Sequence, residues 1–258
     1  FHYDFHSSLW ANSREALQTL LIQTLQQAGD ALRGANYLLL TLGSAVVYRR
    51  KETGEVVANC HKMPGQLFEK YLYQIDHLRD ELTALIRLVH RINPTLRLVV
   101  TVSPVRHTRD TLPLNQVSKS MLRVLAHELT IWRDTIHYFP AYELMMDDLR
   151  DYRFYDADLI HPNVQAHDYI FGKFAESAFD PELRAFVAEW HRIRQSLTHR
   201  PLHGGTTPAD RQFLNQLIAK LEKLAGRVDV SAELCEVRSR LLRMQAGCQN
   251  ELNTLTTY

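Results

Sequence analysis

The stretch "LRLVVTVSP", residues 96–104, decides the fold of this 258-residue chain. It is a short apolar run that ends at a proline, which predicts a buried strand. A similar run, "YLLLTL", precedes it at Tyr37–Leu42, and "TIHYFP" follows it at residues 135–140. Amphipathic helices are predicted between these strands. The alternation favours an α/β fold in which a parallel sheet carries helices on both faces.

Local signals predict the remaining elements. Ser13 is an N-cap candidate for a helix that runs to about Leu32. "KETG" predicts a hairpin turn between strands at Val46–Tyr48 and Glu55–Ala58. Further helices are predicted from Pro64 to Asn93, at about residues 116–133, and then without intervening strands at about 163–178, 181–198, 208–226 and 231–249.

The predicted elements divide the chain into two regions. We expect residues 1–178 to form the α/β domain and residues 179–258 to form a helical extension packed on it. Thr198–Gln212, rich in Gly, Pro and Thr, is the clearest linker. Beyond it we expect residues 208–249 to form an antiparallel helical pair, with four apolar side chains buried: Phe213, Leu217, Leu221 and Leu224.

Composition excludes several classes of protein. With 30 Lys+Arg against 29 Asp+Glu, the chain lacks the basic character of a protein that binds nucleic acid or an anionic membrane. No apolar run approaches the roughly 20 residues that span a bilayer. Three widely spaced cysteines imply no disulfide framework. The first residue is Phe1, with no signal peptide after it, so we expect the chain to begin inside a longer protein or after a processed segment. The protein is then either cytoplasmic or exported.

The segment "RFYDADLIHPN", residues 153–163, carries the strongest candidate chemistry. Asp158 stands three residues before His161. A carboxylate at that range fixes the tautomer of an imidazole and stabilises the imidazolium formed during proton transfer. The pair follows the last predicted strand, and function in parallel α/β sheets collects at the carboxyl ends of strands. The alternative is that Asp158 only caps the helix that begins after Pro162.

Two serines stand at strand ends. Ser44 follows Gly43 after the first strand, and Ser103 ends the second. Either position suits a nucleophile, but neither serine lies in a Gly-x-Ser-x-Gly elbow. Ser103 also precedes Pro104, which favours extended backbone over a sharp turn. Turn and strand-end roles are the simpler interpretation of both.

The segment "VANCHK" offers polar groups after the hairpin. The side-chain amide of Asn59 is a candidate donor to an oxyanion. Cys60 and His61 are a conceivable nucleophile pair or zinc site, with an ordinary loop histidine as the alternative. Adjacent residues rarely chelate one metal well, and the sequence holds no second ligand motif. We therefore predict neither a metal nor a cofactor.

At these residues the chain resembles the GSCFA domain family, a bacterial branch of the SGNH (GDSL-like) hydrolases. The resemblance covers about residues 35–203 and rests on "LTLGSAVVYRRKETGEVVANCHKMP", "TVSPVRH", "NQVSKSMLRVLAHEL", "YFPAYELMMDDLRDYRFYDADLIHPN" and "HRPL". It implies a three-layer α/β/α flavodoxin-like sandwich with a C-terminal helical extension. It also implies a Ser–His–Asp type site, in which His161 is the general base and Asp158 its orienting partner.

The resemblance also shows where this sequence departs from the family. The expected nucleophile is the serine of an N-terminal Gly-Ser-Cys-Phe-Ala motif, which the printed sequence does not contain. We therefore expect that serine, and the first strand that carries it, to lie upstream, and the chain as printed to be inactive. The usual Gly-x-Asn block for the oxyanion reads Gly43-Ser44-Ala45 here, so Asn59 is expected to replace its asparagine, with His61 lining the pocket.

Function follows from the same resemblance as an expectation. SGNH relatives act on acyl esters, often on carbohydrates, which implies removal or transfer of a short acyl group on a glycan or small ester. The alternative is a non-catalytic ligand-binding or assembly module that uses the same pocket, with the helical tail as its partner surface.

Overall fold

The computed structural model describes residues 1–109, 111–198 and 207–255, and residues 245–255 through their backbone alone. The chain divides into two compact units, Phe1–Phe174 and Ala175–Tyr258. The "HRPL" segment and most of the predicted linker lie outside the described residues. The architecture is mixed α/β with a helical C-terminal region, as the sequence predicts. Within the described ranges, no helix combines the length and apolar character needed to cross a bilayer.

The helices and strands follow one another in the order that the sequence predicts, with a strand at Phe68–Leu72 and a short helix at Ala141–Glu143 added. Their bounds are α1 Arg14–Gly34, β1 Tyr37–Leu42, β2 Val46–Arg50, β3 Val56–Val57, β4 Phe68–Leu72, α2 Ile75–Ile92, β5 Arg97–Val102, α3 Leu112–Trp132, β6 Ile136–Tyr138, α4 Ala141–Glu143, α5 Val164–Ala178, α6 Pro181–Thr198, α7 Pro208–Leu224 and α8 Ser231–Leu255. A π-helical turn at Leu144–Asp148 continues α4, and single 3₁₀ turns lie at Gly65–Leu67 and Tyr152–Phe154.

The central sheet is parallel, in the order β1-β5-β6. Its strands run in register, with Leu42 opposite Val102 at the carboxyl end. One face of the sheet packs with α2 and α3 into a core of buried apolar side chains, among them Leu98, Val100, Ile86 and Leu125. The opposite face borders an apolar cavity of about 380 Å³ that α5 also lines. The two strands predicted from "YLLLTL" and "LRLVVTVSP" are confirmed.

A second sheet, antiparallel in the order β3-β2-β4, projects from the end of β1. Its first turn is the predicted hairpin at "KETG", where Gly54 adopts a positive φ of 73°. The predicted helix from Pro64 is wrong over its first part, since residues 68–72 form β4 and α2 begins only at Ile75. The apolar spacing there is compatible with a helix, but β4 pairs along its whole length with β2 and buries Phe68. Tertiary pairing therefore overrides the local pattern.

Helix α3 begins earlier than the sequence predicts. The hydroxyl of Thr111 accepts a hydrogen bond from the N–H of Leu114, and Pro113 lies in the first turn. Both are helix-start signals, so the helix begins at Leu112 and not near Gln116.

Strand β1 has one edge that no other described strand covers. The carbonyl of Leu42 accepts from the N–H of Ser103, so the even-numbered residues of β1 bond to β5. The backbone groups of Tyr37, Leu39 and Thr41 therefore point away from β5. Tyr37 and Leu39 are about half exposed, and no charge or proline interrupts "YLLLTL". This apolar, open edge is a ready surface for further strand pairing.

A buried lysine joins the carboxyl ends of the two longest parallel strands. Lys119 on α3 is 1% exposed, and its Nζ donates to the carbonyl oxygens of Gly43 at 2.6 Å and Ser103 at 2.7 Å. At the preceding residue, Ser118 Oγ accepts from the N–H of Ala45 at 2.8 Å. Burial lowers the pKa of the Lys119 ammonium to about 8, because it removes the charge from water.

Replacement of this amine is expected to change how stability depends on pH. Lys119 binds its proton more weakly in the folded chain, with a pKa of about 8, than in the unfolded chain, at about 10.4. Between these values the unfolded state binds more protons, so stability rises with pH by at most about 1.4 kcal/mol per unit. Lys119→Met should lack this rise. Urea unfolding of both proteins at pH 7, 8, 9 and 10 measures the difference, and parallel curves would contradict the assignment.

The C-terminal unit has its own apolar core. Thr207 and Asp210 form a capping box at the start of α7. Buried side chains from α6, α7, α8 and the connection between the last two make up the core: Ile193, Leu214, Leu217, Leu221, Leu224, Val230 and Val237. Helices α7 and α8 form the expected pair, which an Arg238–Glu222 contact of 2.8 Å bridges. Phe213 is 36% exposed and Leu214 takes its place in the core, so that one predicted residue is wrong.

Truncation of Leu221 tests this core. Leu221 is fully buried, so Leu221→Ala should destabilise the helical unit by about 2–5 kcal/mol. Leu242→Ala is the matched control, because Leu242 on α8 is 64% exposed and its loss should cost less than about 0.5 kcal/mol. Hydrogen exchange of α7 peptides, read by mass spectrometry, measures both effects. Equal exchange in the two variants would show that α7 is not buried at Leu221.

Candidate functional site

The expected hydrogen bond between Asp158 and His161 is present. Nδ1 of His161 donates to Asp158 Oδ2 at 2.6 Å. The other carboxylate oxygen accepts from the backbone N–H groups of Ile160 at 2.8 Å and His161 at 3.0 Å. The same carboxylate therefore orients the imidazole and holds the backbone that carries it.

These contacts keep Asp158 ionised. They lower the pKa of its carboxyl group to about 2, through the backbone N–H of His161 first, then the His161 side chain and the N–H of Ile160. The negative charge of Asp158 can stabilise the imidazolium form of His161 through Nδ1. Because Nδ1 bonds to Asp158, Nε2 is the nitrogen left for proton transfer.

The loop that carries the pair is closed by its own backbone hydrogen bonds. The N–H of Asp156 donates to the carbonyl of His161 at 2.8 Å, and that of Asn163 donates to Phe154 at 2.9 Å. Leu159, between the two site residues, has a positive φ of 58°. Such a conformation costs energy for a residue with a Cβ, so the surrounding hydrogen bonds hold the loop against strain.

His161 lines a cavity of about 400 Å³ at the carboxyl ends of the strands. Its walls come from the end of β1, from β2 and β4, from the loop after β5 and from the His161 loop. They are formed by Ser44, Val46, Tyr48, Lys70, Val105, Arg106, His107, Thr108, Arg109, Ile160 and His161. No described residue forms a hydrogen bond with Nε2 of His161, and the His161 side chain is 57% exposed.

Both candidate serines accept hydrogen bonds from backbone N–H groups two residues later, as serines in turns do. Ser44 lines the cavity, but its Oγ accepts from the N–H of Val46 at 3.0 Å. Ser103 Oγ accepts from the N–H of Val105 at 3.3 Å. Neither hydroxyl is hydrogen-bonded to His161. Both fit the turn and strand-end roles.

Gly43 directly follows β1 and precedes Ser44, which lines this cavity. Its carbonyl is held by Lys119, and a Cβ built on Gly43 would meet nothing within 4 Å. Its N–H follows the odd-numbered pattern of β1 and points away from β5. The Gly43 N–H therefore points toward the edge of β1 that no other described strand covers.

Asn59 and His61 lie next to the His161 cavity and not among its lining residues. Asn59 lines a neighbouring cavity of about 610 Å³, which shares Tyr48, Lys70 and Arg109 with the first. Its Nδ2 donates to Ser7 Oγ at 3.1 Å, and its Oδ1 accepts from the N–H of His61 at 2.8 Å. The Asn59 amide is thus turned toward the N-terminal segment. Its role at an oxyanion stays a prediction.

His61 and Cys60 do not form a reactive pair. The His61 ring stacks on Phe1 with centroids 4.2 Å apart, and its Nε2 donates to the carbonyl of His2 at 3.0 Å. Burial raises the pKa of the Cys60 thiol, which disfavours a thiolate. In the described part of the chain, no three His, Cys, Asp or Glu side chains converge as metal ligands would.

Sequence reasoning missed the polar face of α3 that supports the site. Asn115, Ser118 and Lys119 are all buried, and Asn115 Oδ1 accepts from the N–H of His107 at 2.8 Å. These three residues continue the helical spacing of the apolar core positions Leu122 and Leu125. Polar residues at core-facing positions were therefore the available signal, since a buried polar group needs a partner.

Comparison with known proteins identifies the family over most of the chain. A model described as "GSCFA family" matches residues 1–174, and one described as "GSCFA domain protein, C-terminal domain" matches residues 190–243. No curated protein and no solved structure matches the chain. The first match includes the parallel sheet, the Asp158–His161 loop and the α3 residues beneath it, and the second lies within the helical unit. The chain belongs to the GSCFA family.

Proposed function

We propose that this protein is an SGNH-type serine esterase or acyltransferase that acts on acyl esters of glycans or small molecules. The observation that carries the proposal is the 2.6 Å hydrogen bond between Asp158 and His161, which lines a cavity at the carboxyl ends of the strands. An orienting carboxylate, an imidazole and an adjacent cavity are the base half of a hydrolytic triad.

The nucleophile in this proposal is the serine of the Gly-Ser-Cys-Phe-Ala motif, upstream of the printed chain. Nε2 of His161 takes the proton of that serine as its oxygen attacks the acyl carbonyl. Asp158 stabilises the imidazolium that forms. The imidazolium then gives its proton to the departing alcohol, which leaves an acyl-enzyme. Attack on the acyl-enzyme by water completes hydrolysis, and attack by a second alcohol completes transfer.

The tetrahedral intermediate needs donors for its negative oxygen. The proposal assigns the Gly43 N–H and the Asn59 amide to this role. Gly43 lies at the end of β1 in open surroundings. The Asn59 amide now donates to Ser7, so it must exchange that hydroxyl for the oxyanion during the reaction.

Substitution of Asp158 tests the proposed triad in the full-length protein. Asp158→Asn keeps an oxygen for the backbone N–H groups but removes the charge that stabilises the imidazolium, so kcat should fall by about 10⁴. Asp156→Asn is the matched control, because Asp156 is an exposed carboxylate in the same loop. Hydrolysis of an aryl acetate gives kcat, and a fluorophosphonate probe reports the reactive serine. Absence of both labelling and turnover would instead favour the non-catalytic binding or assembly module.

Substitution of Asn59 tests the oxyanion assignment. Asn59→Ala should lower kcat by about 10²–10³, the usual loss for one oxyanion donor, with little change in KM. Ser7→Ala serves as the control, since it removes the present partner of the Asn59 amide without removing the amide. If both variants lose activity equally, Asn59 acts only by holding the N-terminal segment. An unchanged kcat for Asn59→Ala would assign the oxyanion to another donor.

A further inference from the structure

Two arginines line the cavity beside His161. Arg106 and Arg109 both reach it from the loop after β5. Of the described residues that line this cavity, none is acidic. The chain as a whole is nearly neutral, at +1, so this is a local concentration of charge beside the site and not a general basic character.

Arg106 is held in place by neutral groups. Its guanidinium lies 4.3 Å from the ring centre of Tyr155 and 5.3 Å from that of Tyr152. Nη1 donates to the carbonyl of Leu159 at 3.4 Å, and its backbone N–H donates to Ile160 at 3.3 Å. These contacts tie Arg106 to the loop of the Asp158–His161 pair. They use few of its five N–H donors, and none of these contacts is with a carboxylate.

Other arginines of the same unit are neutralised by carboxylates. Arg79 pairs with Glu128 at 2.7 Å, and Arg123 pairs with Glu143 at 2.5 Å. Arg106 and Arg109 form no such ion pair with any residue that the structure describes. Two guanidinium groups that pair with no described carboxylate lie beside the proposed general base. They are positioned to bind an anion, because a guanidinium presents paired donors to carboxylate or phosphate oxygens.

We propose that the ester bound at this site carries an anionic group, a carboxylate or a phosphate, which Arg106 and Arg109 bind while the acyl group lies at His161. The ester part of this inference rests on the proposed esterase function, and the anion part rests on the residues that line the cavity. A volume of about 400 Å³ suits a small molecule or a single sugar unit.

The test compares matched aryl acetates on the full-length protein. The substrates are 4-acetoxybenzoate, 4-acetoxyphenyl phosphate and the neutral methyl 4-acetoxybenzoate. We expect kcat/KM for at least one anionic ester to exceed that for the neutral ester about tenfold, the effect of about 1.4 kcal/mol of charge-assisted binding. Which anion is preferred distinguishes carboxylate from phosphate recognition. Equal kcat/KM for all three would overturn the proposal.

Arg109→Gln is the informative variant, because Arg109 is exposed and its loss should not disturb the fold. It should lower the ratio of anionic to neutral kcat/KM about tenfold. Arg91→Gln is the charge-matched control, since Arg91 is exposed near the end of α2, at the amino-terminal side of the sheet. It should leave the ratio unchanged. If the protein prefers anionic esters tenfold and Arg109→Gln keeps that preference, Arg109 does not bind the anion. Arg106→Gln must then abolish the preference. A preference that survives in Arg106→Gln as well would overturn the proposal.

Binding measured without turnover separates this proposal from the proposed function. Calorimetry with 4-hydroxybenzoate, phenyl phosphate and methyl 4-hydroxybenzoate reports anion recognition even in an inactive protein. Binding of an anion that weakens about tenfold in Arg109→Gln, with no ester hydrolysed, would uphold the anion site and reject the esterase. Hydrolysis of esters with no preference for anions and no anion binding would reject the anion site and uphold the esterase.

Discussion

The ammonium group of Lys119, bonded to the carbonyl oxygens of Gly43 and Ser103, is the contact on which the site end of this molecule depends. It ties the ends of β1 and β5 to one helix. Ser118 and Asn115 on the same face fix the backbone after each strand, at Ala45 and at His107. A buried charge without a carboxylate partner is costly. The cost is offset only if the carbonyl groups stay where they are, so α3 behaves as a rigid support for both loops.

The other half of the site, the Asp158–His161 loop, is held by contacts within the loop itself. The Asp158–His161 loop closes on itself through short-range hydrogen bonds, and Arg106 joins it to the segment after β5. The cavity therefore lies between the strand ends that α3 holds and a loop that its own hydrogen bonds hold. Arg106 lies at that junction, where its aromatic contacts and its backbone bond to Ile160 connect the geometry of the base to the charge of the cavity wall.

Features with local causes were predictable from the sequence, and features with distant causes were not. The turn at Gly54 and the Asp158–His161 contact each depend on neighbours within a few residues, and strand β1 is visible as an apolar run in its own sequence. Strand β4 depends on pairing with β2, about twenty residues away, so its helix-like apolar spacing misled the prediction. The position of Asn59 depends on the path of the N-terminal segment, because Tyr3 and Ser7 bond to it. The helical spacing of Asn115, Ser118 and Lys119 was visible, but their partners lie in loops distant in sequence.

The hydrogen bonds that Asp158 accepts determine which titrating group can set the pH dependence of the site. Because they keep this carboxylate charged until the pH approaches about 2, its contribution to the loop is complete at mildly acidic pH and fades only as the pH falls through that value. Every compartment of a living cell is less acidic than this. A decline of function on mild acidification therefore reports the protonation of a different group, and the orienting partner of the imidazole is constant across the whole physiological range.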